Sequence, residues 1–203
     1  MLQDPAMKQN LLYGTSAASM RCIAVASAYF IYDLYICATR FSENGLPFLI
    51  HGALCSLAYA YPLLSGNMHY QGACFLMWEL STPFLYFRWF LIKTNRSDST
   101  LMSIANVLFA LAFFGCRIVA GPILSWEYYQ ASALEISSPL HRKDNAIPIN
   151  ILYSYRVAMF ILNGLNYFWF YNIVRIAVTG GKKNNVTETD VTPGRTSKKV
   201  AID

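Results

Sequence analysis

The chain has 203 residues, of which 55% are hydrophobic, 15% aromatic and only 13% charged, where an ordinary soluble domain devotes about a quarter of its residues to charge. A soluble enzyme of this size lacks the interior volume to hide several nearly uncharged helices, and five cysteines inside apolar stretches, without metal-type spacing, make neither a disulfide scaffold nor a metal site. The net charge of +5 does not read as nucleic-acid binding, because the basic residues sit at the ends of apolar segments rather than on one face.

Residues 1–16 read as a short polar segment with no hydrophobic stretch, so no cleavable signal peptide is expected. No Asp, Glu, Lys or Arg occurs between Glu43 and Glu79, between Asp98 and Arg117, or between Arg156 and Arg175. About 20 apolar residues cross a hydrocarbon core, and five such spans follow in order: Ala17 to Thr39, Leu46 to Leu64, Tyr70 to Leu91, Leu101 to Leu124, and Ile149 to Val178. Short polar turns join the first four, and Trp126 to Pro148 is expected to be a longer loop. The fold class is therefore all-α, a polytopic bundle of about five membrane helices over residues 17–178. Residues 179–203, almost devoid of large apolar side chains, read as a disordered cytosolic tail.

Orientation follows from the Lys/Arg bias. With the tail in the cytosol, that side carries ten basic residues, from Arg40, Arg88, Lys93 and Arg96 to Arg175 and the tail, against Lys8, Arg21, Arg142 and Lys143 opposite. The sequons at Asn95 and Asn185 would then face the cytosol and stay unmodified. Tyr59, Tyr61, Tyr86, Trp89, Trp126, Tyr128, Tyr129 and Trp169 fall near span ends and are expected as interfacial anchors, and small residues such as Gly52 and Gly72 as points of close helix approach.

Ionisable side chains within membrane helices are costly and mark functional sites or buried pairs. Here they are Asp33, His51, Glu79, Arg88, Arg117 and Arg156, with Asn106, Asn163 and Asn166 as polar companions. At about 1.5 Å per residue, Asp33 lies roughly 9 Å before the end of the first span and His51 roughly 8 Å past the start of the second, so the two can meet in a hairpin. Glu79 lies nearer the midplane, and Arg117 with Arg156 are expected as a separate cluster toward the other face. Pro83 removes a backbone hydrogen bond and predicts a bend in the third span, with Ser81 and Thr82 able to satisfy freed carbonyls. Asp33, His51 and Glu79 form either a network that fixes helix register or a pocket in which His51, beside a carboxylate, acts as base or acyl acceptor.

The run Trp78 to Leu91, WELSTPFLYFRWFL, resembles the ELSTPFLN-x-RWFL signature of the TLC-domain family, named for TRAM, Lag and CLN proteins, in the branch resembling TLC domain-containing protein four. The segments Tyr29 to Leu34, Phe48 to His51, Phe113 to Arg117 and Asn166 to Phe170 resemble other parts of that family. The resemblance implies an integral protein of the endoplasmic reticulum connected with lipid homeostasis, lipid sensing or ceramide synthesis. Ceramide synthases of the family use a His-His pair to transfer an acyl group from acyl-CoA to a sphingoid base; here Ile50 stands at the first position, so synthase activity is not expected. Relatives usually carry a further N-terminal helix, giving six spans, and its absence reads as a truncated gene model or an isoform.

The resulting expectation is a protein that binds or senses lipid, sphingolipid or phospholipid, with Asp33, His51, Glu79 and Arg88 lining the pocket. His51 is the catalytic candidate if there is chemistry, and Pro83, Arg117, Arg156 and Asn166 are structural polar residues. No metal and no cofactor is expected, no nucleic-acid partner, and a homodimer is open. The alternatives are a ceramide-synthase-type acyltransferase using His51 and a small proton-coupled transporter.

Overall fold

The computed structural model describes residues 5–138 and 146–179; the tail and most of the charged half of the 126–148 segment, including His141, Arg142, Lys143 and Asp144, lie outside the described residues. Every regular element among the described residues is helical: α1 (Pro5–Gln9), α2 (Ala17–Thr39), α3 (Phe41–Ser65), α4 (His69–Phe75), a 3₁₀ segment (Leu76–Ser81), α5 (Thr82–Lys93), α6 (Thr100–Phe113), a π turn (Phe114–Val119), α7 (Ala120–Ser137) and α8 (Ile149–Val178).

Local chemistry sets the ends. Ser16 and Ser19 form a reciprocal capping box at the start of α2, relieving backbone N–H groups that have no partner within the helix. Gly66, at φ 73°, terminates α3 in the left-handed conformation that glycine adopts without steric cost. Gly45, at φ 76° and ψ 175°, breaks α3 four residues after it begins, so the short polar turn expected between the spans ending at Thr39 and starting at Leu46 is mostly helical, with the kink at its last residue.

Four helical stretches are long and apolar enough to cross a membrane: Ala17–Thr39, Phe41–Ser65, Thr100–Ser137 and Ile149–Val178. The protein is thus an all-α membrane-helix bundle. Its surface is inverted relative to a soluble protein, with Phe160 82% and Val25 72% exposed, as expected where lipid is the solvent. The remaining predicted span, Tyr70 to Leu91, is a broken column of α4, the 3₁₀ segment and α5. Pro83 sits in the first turn of α5 rather than within a helix, and the unwinding lies upstream of it. There Thr82 donates its N–H to the Glu79 carbonyl, three residues back, the tighter pattern of a 3₁₀ turn.

The fourth span differs at its other end. The helix runs on to Ser137, 38 residues from Thr100 and about 57 Å long, so Trp126, Glu127, Tyr128 and Glu135 belong to a helix and not to a loop. Tyr128 and Tyr59 are core residues rather than interfacial anchors, 0% and 4% exposed. Their hydroxyls donate to the carbonyls of Leu152 and Gly72, which is how a buried tyrosine satisfies its polar end.

Helices α2 and α3 pack as an antiparallel pair over Ile23, Ala26, Phe30, Cys55 and Tyr59, joined by Trp78 and Leu162. A second cluster gathers Leu12, Met68, Tyr128, Ile147, Leu152 and Met159, so the N-terminal segment, expected to be merely polar, inserts Met7 and Leu12 into the bundle. The cysteines are unpaired, with Cys37, Cys55 and Cys74 buried.

Tyr13 ties this end together. Its hydroxyl donates to Glu135 Oε1 at 2.6 Å and accepts from the Ile147 N–H at 3.1 Å. Burial and the neighbouring Glu135 carboxylate push its pKa up to about 12. A raised acid pKa means stability that is complete below the unfolded value and lost as pH rises through the folded one. Tyr13→Phe should therefore lower stability by about 1 kcal/mol at neutral pH. The gap from wild type should shrink between pH 10 and about 12, followed by thermal melts in detergent; a gap constant across that range would refute the assignment.

Candidate functional site

The two departures from α-helical winding meet inside the bundle. In a 3₁₀ turn residues i and i+3 eclipse, which stacks Thr82 on Glu79, and the threonine hydroxyl donates to Glu79 Oε2 at 2.6 Å. Opposite, the π turn widens the helix and carries Arg117 inward to 6% exposure. Its Nη2 donates to Glu79 Oε1 at 3.0 Å, its Nε to Ser81 Oγ at 3.1 Å and its Nη1 to Asn166 Oδ1 at 3.2 Å. The guanidinium also stands 5.3 Å from the Phe113 ring centroid. Glu79, part-buried, and Arg117, buried, therefore form a hydrogen-bonded ion pair.

His51, on α3, completes the group. Its Nε2 stands 3.8 Å from Glu79 Oε1 and 3.6 Å from Cys55 Sγ one turn on, while its ring meets Trp169 edge-on at 5.5 Å between centroids. The imidazole thus borders the carboxylate without being consumed by it. This group floors a cavity of about 430 Å³, walled by Tyr29, Phe48, Leu85, Tyr86, Trp89 and Trp169, within the usual size of small-molecule sites.

Of the predicted pocket residues, Asp33, His51 and Glu79 all line this cavity. Asp33 approaches it beside Gly52, but no hydrogen bond among the described residues joins it to His51. Arg88 is not part of the lining: its Nε donates to Asn106 Oδ1 and its guanidinium lies 5.1 Å from the Phe109 centroid, joining α5 to α6. Arg156 donates from Nε to Ser132 Oγ at 2.9 Å, and its guanidinium lies 4.3 Å from the Tyr129 centroid.

The expected separate cluster of Arg117 with Arg156 does not form: Arg117 bonds to Glu79, Ser81 and Asn166, and Arg156 to Ser132. The fourth span continues well past Leu124, which sets Arg117 deeper than its distance from that residue implied, and the π turn swings it to Glu79. Near Pro83, Ser81 Oγ donates to the Trp78 carbonyl at 3.3 Å, as expected, and also accepts from Arg117, whereas the Thr82 hydroxyl donates to Glu79. Trp169 and Cys55 were missed as neighbours of His51. Cys55 carries the only usable signal, being four residues from His51 on one helix face.

The family model described as TLC domain matches residues 1–175. An uncharacterized TLC domain-containing protein of Schizosaccharomyces pombe is 34% identical over 85% of this chain and 58% of its own length. TLC domain-containing protein 4-B of Danio rerio is 29% identical over 85% of this chain and 63% of its own, and TLC domain-containing protein 4 of Homo sapiens is 34% identical over 59% and 46%. The chain thus spans about half to three fifths of the length of these curated relatives. No solved structure matches it.

Proposed function

Since this chain belongs to the TLC-domain family of membrane proteins, we propose that it binds lipid in the cavity floored by His51, Glu79 and Arg117 and acts in membrane lipid homeostasis. The observation that carries this reading is the cavity itself, mostly apolar and aromatic along its walls, with His51, Glu79 and Arg117 at its floor and Asp33, Asn172 and Arg40 as further polar groups of its lining. That is the lining expected for an acyl chain held by its head. The lining extends to Arg40 and Ile173, at the end of the bundle that the Lys/Arg bias assigns to the cytosol. Residence in the endoplasmic reticulum with a cytosolic C-terminus belongs to the same proposal, and glycan attached at Asn95 would contradict the orientation.

Lipid mass spectrometry on the protein purified in mild detergent tests the binding. Wild type should carry lipid, and both His51→Ala and the cavity-filling Leu85→Trp should lose about tenfold of it while melting as cooperatively as wild type. Equal lipid on all three proteins would leave the polar floor with a structural role only.

A second reading, acyl transfer with His51 as base, is favoured by one observation: His51 Nε2 is held near Glu79 and Cys55 yet lies outside the ion pair. Acyl transfer from acyl-CoA to a sphingoid base by the reconstituted protein, abolished in His51→Ala, would replace the binding reading with this one.

A further inference from the structure

Behind the floor lies a second, smaller chamber of about 40 Å³, which shares His51 and Glu79 with the outer cavity. Its other walls include Cys55, Tyr59, Gln71, Trp78 and Leu162. Gln71, on α4, is 1% exposed, and among the described residues neither its Oε1 nor its Nε2 has a hydrogen-bond partner. A carboxamide placed in such a wall with both ends unmatched costs stability, so something that both donates and accepts belongs beside it.

Size and charge narrow the occupant. A water needs roughly 10–15 Å³ of such space, so a chamber of about 40 Å³ seats a head of very few atoms. The carboxylate on its border is already neutralised, because Glu79 is paired by Arg117 and every nitrogen of that guanidinium is engaged. A charged head would enter without a counter-charge, at a high desolvation cost. We propose that this inner chamber seats the small uncharged head, hydroxyl or amide, of a single-chain lipid, read by the Gln71 carboxamide, with the chain running back past His51 through the outer cavity. The proposal rests on the lipid-binding reading above.

The test uses a long-chain monoacylglycerol bearing a diazirine and an alkyne, cross-linked to the full chain in detergent, beside a lysophosphatidic acid probe of the same chain. The monoacylglycerol should label wild type, and unlabelled long-chain primary amide should compete with it better than unlabelled lysophosphatidic acid. Gln71→Leu should weaken the monoacylglycerol about tenfold and raise the melting temperature of the lipid-free protein, since it removes two unmatched polar atoms. Opposite movement of stability and affinity separates recognition from a packing defect, which would lower both. Labelling unchanged in Gln71→Leu, or equal competition by the charged lipid, overturns the proposal while the lipid-binding reading stands. Wild type that copurifies with no lipid and takes neither probe overturns both.

Discussion

Arg117→Met is expected to destabilise the bundle by about 3–5 kcal/mol, the cost of removing one member of a buried ion pair and leaving the other charged. Arg117 is 6% exposed and supplies the donor on Glu79 Oε1. His51, at 3.8 Å, is too distant to replace it. Ser81 and Asn166 would lose their guanidinium partner as well. The double variant Glu79→Leu/Arg117→Met should recover most of the loss, because an apolar pair of similar volume removes both desolvation penalties. Denaturant titrations in detergent of wild type, both single variants and the double variant close the cycle. If Arg117→Met unfolds with the wild-type midpoint, the ion pair contributes nothing and the site must be held by its aromatic walls.

The second large effect is expected at Gly52→Val. A Cβ at Gly52 would lie 3.2 Å from the Leu34 Cα and 3.4 Å from Asp33 Oδ2, and the nearest of these atoms is backbone, which cannot step aside as a flexible side-chain end can. The α2–α3 pair must then separate, for about 1–3 kcal/mol of overpacking. Because Asp33 and His51 line the same cavity from these two helices, bound lipid should fall together with the melting temperature. Gly164 is the matched control: a Cβ there meets nothing within 4 Å among the described residues, so Gly164→Ala should be neutral or gain up to about 1 kcal/mol from helix propensity. Equal losses at both positions would show that glycine matters for flexibility and not for helix approach.

Much of this architecture is legible in the chain because charge is expensive in lipid. The gaps between Glu43 and Glu79, Asp98 and Arg117, and Arg156 and Arg175 outline most of the apolar columns, and of the six ionisable exceptions Asp33, His51, Glu79 and Arg117 converge on one cavity, while Arg88 and Arg156 bond to neighbouring helices. What resisted reading is winding. Depth along a span assumes a uniform rise, and Arg117 moves to its partner through a π turn that leaves no trace in composition. Pro83 announces a disturbance but not its extent, since the hydrogen-bond pattern changes from Leu76 onward. Gln71 escaped for another reason: it is uncharged and stands one residue inside the expected start of the third span, where a polar side chain would ordinarily reach water.

The 3₁₀ segment has a consequence for the cavity wall that lies beyond it. Six residues at three per turn complete two full revolutions, whereas α-helical winding would give about one and two thirds. Helix α5 is therefore dialled round by roughly a third of a turn relative to α4, and Tyr86 and Trp89, three residues apart on it, look into the cavity. Wound uniformly, the column would present a different face here and send these rings toward the hydrocarbon. The phase of one short stretch thus decides whether the bundle's aromatic surface is an outer coat or an inner lining.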